Sequence, residues 1–101
     1  MIYMVRSITI QPGKSREAMQ WAVNIAHWIN EHYPDVNVQV MRNITGPRWQ
    51  VHWVVRCDSL TIWDQTSAKI NADPGYQEVI SGAEELVVQS TWMDNFYAEV
   101  E

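Results

Sequence analysis

Two side chains suited to acid–base and anion chemistry lie on one alternating segment, residues 49–57. Apolar and polar residues alternate there, which is typical of a strand whose even-numbered side chains share a face. His52 and Arg56 are both on that face. An imidazole titrates near neutral pH and suits a general base, while a guanidinium binds carboxylates and phenolates through paired hydrogen bonds. The segment therefore predicts a small-molecule site, with His52 as the candidate catalytic residue.

The remaining metal-ligating and nucleophilic residues do not combine into a site. His27 and His32 lie on one predicted helix about 140° apart around its axis, so they do not share a face. No zinc-type spacing occurs, and we expect no metal. Cys57 is the only cysteine, and its parity with Trp53 and Val55 favours a small buried side chain. No nucleophile elbow, dinucleotide fingerprint or phosphate loop is present, so we expect no cofactor.

Composition narrows the class of protein. The 101 residues fit a single domain over positions 1–101, and 47% hydrophobic with 19% charged residues is typical of a folded chain. The net charge of −5 and the absence of a basic stripe argue against nucleic acid and against anionic membranes as partners. No segment approaches 18 consecutive apolar residues, and the N-terminus is typical of a strand rather than a signal peptide. With its single cysteine, the chain is expected to be cytoplasmic.

Tryptophan is unusually abundant. The chain has six tryptophans and four tyrosines but one phenylalanine. Tryptophan and tyrosine are enriched at interfaces and in ligand pockets, yet they also dominate core packing, and composition leaves both interpretations open.

The elements that must position these residues follow from periodicity and turn signals. Their order, β-α-β-β-α-β, predicts an α+β ferredoxin-like fold: a four-stranded antiparallel sheet with helices on one face. We predict strands over residues 2–10, 36–44, 49–57 and 86–98, a helix over 16–32 capped by Ser15, a second helix capped by Asp58 or Ser59 and ending near Asn71, and a short helix capped by Asp73 with Pro74 at its first position.

Helices on one face leave the other face of the sheet uncovered. On strands two and three that face is half polar, and a second copy packed across a two-fold axis would enclose it as a barrel with a lined cavity. We therefore expect a homodimer. The first helix is apolar over about 200° of its circumference, more than one sheet needs, so it predicts either a partner surface or cover from the C-terminal segment.

The N-terminal string M-I-Y-M-V-R-S-I-T-I-Q-P-G-K resembles the opening of the NIPSNAP family. The matching residues are Ile2, Tyr3, Arg6, Thr9, Pro12, Gly13 and Lys14, followed by Glu17. The later segment Asp73-Pro74-Gly75-Tyr76 is similar to an Asp-Pro-x-aromatic segment of the family. Similar openings occur across the dimeric α+β barrel superfamily, so the resemblance implies a ferredoxin-like protomer and a homodimer with a barrel between its sheets.

The resemblance implies no agreed reaction. Superfamily relatives include cofactor-free antibiotic-biosynthesis monooxygenases, heme-degrading monooxygenases and muconolactone isomerases, and fold alone does not transfer their activities. The heme-degrading group uses a strand-one asparagine, where this chain has Arg6, and a histidine on the short helix, where this chain has none. Heme breakdown of that kind is therefore not expected.

The superfamily layout implies that Arg6 joins His52 and Arg56 in the cavity, and we favour the Met93 face of the last strand as further lining. The predicted ligand-binding residues are thus Arg6, His52, Arg56 and Met93, and the expected ligand is a small aromatic or anionic molecule undergoing cofactor-independent oxidation or isomerisation. Two alternatives stay open. Arg6 and Arg56 could pair with Asp or Glu across the dimer while His52 is solvated, or the protein could be a non-catalytic binding or assembly module.

Overall fold

The computed structural model describes residues 1–100 and has the predicted α+β architecture. The elements are β1 (Ile2–Thr9), α1 (Ser15–His32), β2 (Asn37–Arg42), β3 (Gln50–Cys57), α2 (Leu60–Ala72), α3 (Pro74–Val79), α4 (Ala83–Leu86), a 3₁₀ turn (Gln89–Thr91) and β4 (Met93–Ala98). The strands form one four-stranded antiparallel sheet in the order β2-β3-β1-β4, with the helices on one face. The ferredoxin-like fold is therefore confirmed.

Strand alternation decides which side chains meet the helices. On β1 the buried positions are Met4 and Ile8, and on β3 they are Val51, Trp53, Val55 and Cys57. These side chains form one core with the buried stripe of α1, which comprises Ala18, Trp21, Ala22, Ile25, Ala26 and Ile29. Within residues 1–100 the opposite face of the sheet, here called the open face, carries no helix. None of the described helices is long and apolar enough to cross a membrane.

The Asp73-Pro74-Gly75-Tyr76 segment joins α2 to α3 and fastens both to α1. Asp73 accepts a hydrogen bond from the Gly75 backbone at 2.8 Å, as an N-cap should, and another from the Tyr33 hydroxyl at 2.7 Å. Gly75 lies against Trp28, so close that an added Cβ would come within 2.9 Å of the Trp28 ring. The ring of Tyr76 lies 6.0 Å from that of Trp28. This segment therefore covers part of the wide apolar arc of α1.

Two predicted element boundaries are wrong. Ser15 lies inside α1 and does not cap it, since Lys14 holds the N-cap position without a side-chain hydrogen bond. The last strand begins at Met93, because the chain before it forms α4 and the 3₁₀ turn. The Thr91 hydroxyl accepts from the Thr9 backbone at 3.0 Å and so replaces a strand partner there. Ser59 does cap α2, accepting from the Ile62 backbone at 3.2 Å.

Candidate functional site

An apolar pocket lies between the helix-facing side of the sheet and helices α1 and α2. Its cavity volume is about 80 Å³. A typical drug-sized pocket has roughly 300–1,000 Å³, so this one suits a single-ring molecule or must widen on binding. The lining residues are mostly apolar and include four tryptophans: Met4, Arg6, Trp21, Ile25, Ile29, Val36, Val38, Trp53, Val55, Trp63, Ser67, Ile70, Asn71, Ile80 and Trp92.

The inner wall of the pocket is fixed by hydrogen bonds to the backbone. Trp53 donates its indole N–H to the Ala22 carbonyl at 3.1 Å, and Trp21 donates to the Ile80 carbonyl at 3.3 Å. The two indoles meet edge to face with ring centroids 5.5 Å apart. Buried indoles with satisfied N–H groups in this geometry form a rigid surface on which another ring can pack.

The outer wall is held more loosely. Trp92 stacks on Trp53 with ring centroids 5.9 Å apart, but 40% of the residue is exposed. Its indole N–H donates to the side chain of Gln89, which is itself exposed. Trp92 is therefore the part of the wall that could move to admit a ligand.

Arg6 is the one charged residue among those that line the pocket, and it is paired with Asp94. The two residues are opposite each other on β1 and β4. Arg6 donates from Nε to Oδ1 and from Nη2 to Oδ2, both at 2.8 Å. These hydrogen bonds raise the pKa of Arg6 and lower the pKa of Asp94. Both groups are therefore ionised at neutral pH, and the mouth of the pocket carries a balanced pair of charges.

The predicted cluster of Arg6 with His52 and Arg56 is not formed. Arg6 is opposite Trp53 in the β1–β3 register, and Trp53 faces the helices. His52 is opposite Ser7 and lies on the open face. The assignment of Arg6 to the cavity between two sheets is therefore wrong. The physical reason is parity: Arg6 shares its side of β1 with the buried residues Met4 and Ile8.

His52 belongs to a chain of three polar side chains on the open face. Its Nδ1 is 2.6 Å from the Ser7 hydroxyl, and its Nε2 is 2.6 Å from Oδ1 of Asn43. A neutral imidazole protonated on Nε2 satisfies both contacts, since Ser7 then donates to Nδ1 and Nε2 donates to Asn43. Burial lowers the pKa of His52 from its ordinary value. A catalytic role for His52 stays a prediction.

The other predicted site residues also lie on the open face but apart from each other. Arg56 is exposed and opposite Tyr3, whereas Met93 is exposed and opposite Ser7. Met93, Ser7 and His52 therefore form one row across three strands. Arg56 lies four residues along β3 from His52, roughly 13 Å away at the usual rise of a strand. Their ligand-binding role stays a prediction.

The sequence analysis did not identify four residues as part of a site: two at the pocket, Asp94 and Trp92, and two beside His52 on the open face, Ser7 and Asn43. Asp94 and Trp92 were not recognised because the register of β4 against β1 cannot be read from either strand alone. Ser7 carried a usable signal, since odd positions of β1 and even positions of β3 fall on the same open face. Asn43 falls within the predicted strand over residues 36–44, on its polar side, but β2 ends at Arg42, so alternation alone does not predict the contact of Asn43 with His52.

No protein-family model matches the sequence, and no curated protein is detectably similar to it. Solved structures do match over nearly the whole chain. An uncharacterised NIPSNAP domain protein from Burkholderia xenovorans aligns with a TM-score of 0.82 at 15% identity, covering 99% of this chain and 95% of its own. A NIPSNAP family protein of unknown function from Agrobacterium tumefaciens aligns at 0.79 and 15% identity, with coverages of 96% and 86%.

A candidate antibiotic biosynthesis monooxygenase from Caulobacter crescentus also aligns, with a TM-score of 0.77 at 14% identity and coverages of 99% and 90%. Identities this low establish the fold and leave the activity open. The resemblance seen in the N-terminal string is thus confirmed at the level of the fold: this chain has the ferredoxin-like fold shared by NIPSNAP domain proteins and antibiotic biosynthesis monooxygenase-like proteins.

Proposed function

We propose that this protein binds a small aromatic molecule in the pocket between its sheet and helices α1 and α2, with Arg6 contacting a ligand oxygen at the mouth. The observation that carries this is the composition of the wall, since four tryptophans and a single cationic side chain line the same cavity. Flat indole surfaces favour a flat ligand, and a guanidinium favours an oxygen acceptor. The site we propose is therefore within one protomer and not between two sheets.

The same contacts would support a reaction that needs no cofactor. In isomerisation a proton leaves a carbon next to a carbonyl and another proton is taken up elsewhere in the conjugated system. In cofactor-free oxygenation a phenol or such a carbon loses its proton to water at the mouth, and molecular oxygen, the co-reactant, accepts the electrons, adds one atom to the ring compound and releases the other as water. A guanidinium beside the ligand oxygen stabilises the negative charge that develops on it. Exclusion of water by the indole walls would strengthen that interaction. A structural neighbour that is a candidate monooxygenase agrees with this chemistry.

We also propose that two copies pair through their open faces. Several large side chains on this face are exposed, among them Met41 at 45%, Met93 at 59% and Tyr97 at 54%. Burial of such side chains against a second sheet is the contribution that a short chain most needs for stability. Analytical ultracentrifugation should give a dimer, and Tyr97→Lys should shift it toward monomer. A monomeric wild-type protein at micromolar concentration would contradict the pairing.

The open face also supports a second candidate function, a binding or assembly module without catalysis. In that case the dimer, or a larger assembly of dimers, is the functional unit, and the pocket is a gap in the packing of the core that binds no ligand. One measurement distinguishes the two functions, namely binding of a small ring compound in the pocket. The first function requires it, whereas an assembly module does not bind such a compound there.

The pocket is tested by titration with 4-fluorophenol, followed by the ¹⁹F resonance of the ligand, which detects weak binding of a single ring. Ser67 lines the pocket, and Ser67→Leu should weaken binding about tenfold or more by filling the space that a ring needs. His52→Gln is the matched control on the open face and should leave the dissociation constant unchanged. Circular dichroism and the melting temperature confirm that both variants are folded. Loss of binding in His52→Gln but not in Ser67→Leu would overturn the proposed site.

A further inference from the structure

The charge at the mouth of the pocket is already balanced before any ligand arrives. Asp94 accepts two hydrogen bonds from Arg6, one on each carboxylate oxygen. We propose that this pair makes the pocket selective for neutral ring compounds with a carbonyl, amide or hydroxyl oxygen, and makes it reject the corresponding carboxylates. The inference rests on the proposed function and narrows its ligand class.

The geometry leaves Arg6 with N–H donors to spare, but the edge formed by Nε and Nη2 is occupied and the positive charge is already paired with Asp94. A guanidinium has five N–H groups, and Asp94 takes one from Nε and one from Nη2. Within residues 1–100 these are the only hydrogen bonds that the Arg6 side chain makes. The three remaining N–H groups, two on Nη1 and one on Nη2, are available to a ligand oxygen, so selectivity has to come from the charge of Asp94 and not from a shortage of donors. A ligand carboxylate that sought the paired contact with Nε and Nη2 would have to displace Asp94, which is fixed opposite Arg6 in the sheet.

Electrostatics act in the same direction. Asp94 remains a carboxylate at neutral pH because its hydrogen bonds from Arg6 lower its pKa. A second carboxylate on Nη1 would lie a few ångströms from the first, and like charges at that distance repel each other. The rest of an anionic ligand would also lose its hydration inside a largely apolar pocket, whereas a neutral oxygen needs only one or two hydrogen bonds.

The test compares two ligands of nearly equal shape, 4-fluorobenzamide and 4-fluorobenzoate, by ¹⁹F titration at pH 7.5. The wild-type protein should bind the amide about tenfold or more tightly than the carboxylate, a difference of about 1.4 kcal/mol or more. Asp94→Asn removes the negative charge but keeps an acceptor for Arg6. It should tighten binding of the carboxylate about tenfold while changing that of the amide by less than about threefold.

Glu31→Gln is the control for total charge, since Glu31 is exposed near the end of α1 and lines no part of the pocket. It should leave the ratio of the two dissociation constants unchanged. Equal or tighter binding of the carboxylate by the wild-type protein would overturn the inference without any variant, while the pocket itself would stand. A ratio unchanged by Asp94→Asn would also overturn it. Failure of both ligands to bind would instead remove the pocket, and the inference with it.

Discussion

Replacing Trp53 by leucine should lower the free energy of unfolding by about 3–4 kcal/mol, because Trp53 supports the inner wall of the pocket. The residue is 4% exposed. Its hydrogen bond to the Ala22 carbonyl, at 3.1 Å, is worth about 1 kcal/mol net, since that carbonyl keeps its bond within α1. The edge-to-face contact with Trp21 adds about 1 kcal/mol. The smaller side chain gives up about 1–2 kcal/mol more in burial and packing.

The loss is measured by urea unfolding followed by far-ultraviolet circular dichroism, at one fixed protein concentration because pairing of copies would affect the midpoint. Trp49→Leu is the matched control. Trp49 is 59% exposed, and its replacement should change the unfolding free energy by less than about 0.5 kcal/mol. If Trp53→Leu cost less than about 1 kcal/mol, the inner wall could not be the packed surface described above.

Three further predictions concern the scaffold and its pH response. Asn30→Ala should cost about 1–2 kcal/mol, because the Asn30 amide both donates to and accepts from the Val38 backbone; urea unfolding measures it, and an unchanged midpoint would refute it. Gly75→Ala should lower the melting temperature through its clash with Trp28, but not in a Trp28→Leu background; equal losses in both backgrounds would exclude the clash. As pH falls through 6.5, the unfolded chain takes up a proton that folded His52 resists, so wild-type stability should fall relative to His52→Gln. Parallel pH profiles of the two proteins would contradict that last prediction.

The sequence was sufficient for the order of elements because each has a clear local signal. Strict alternation over residues 49–57 predicted β3 and the face of every side chain on it, and Asp73-Pro74 predicted the start of α3. Local signals failed where a longer-range contact decides the structure. The segment before Met93 is apolar enough for a strand, yet it makes only an isolated bridge, between Val87 and Ile10. The Thr91 hydroxyl then accepts from the Thr9 backbone, and the regular strand begins only at Met93.

The candidate site was predicted less well, because Arg6 was assigned to the wrong face of the sheet. The even-numbered neighbours of Arg6 on β1 are apolar, a composition typical of the helix-facing side, whereas the layout implied by the family resemblance assigns Arg6 to the cavity. Its acidic partner could not be identified, because Asp94 meets Arg6 only through the register of β4 against β1, at a separation of 88 residues. His52 was correctly placed on the open face, but its contacts with Ser7 and Asn43 depend on side-chain geometry that no spacing rule specifies.

The most direct test of the central claim uses the six tryptophans as reporters of which face binds the ligand. In a ¹H–¹⁵N spectrum of the labelled protein, each indole N–H gives its own resonance, assigned by single Trp→Phe replacements. Addition of 4-fluorophenol should shift the indole signals of the pocket residues Trp21, Trp53, Trp63 and Trp92 and leave that of Trp49 in place. Shifts limited to the backbone amides of Ser7 and His52 would place the ligand on the open face and contradict the account.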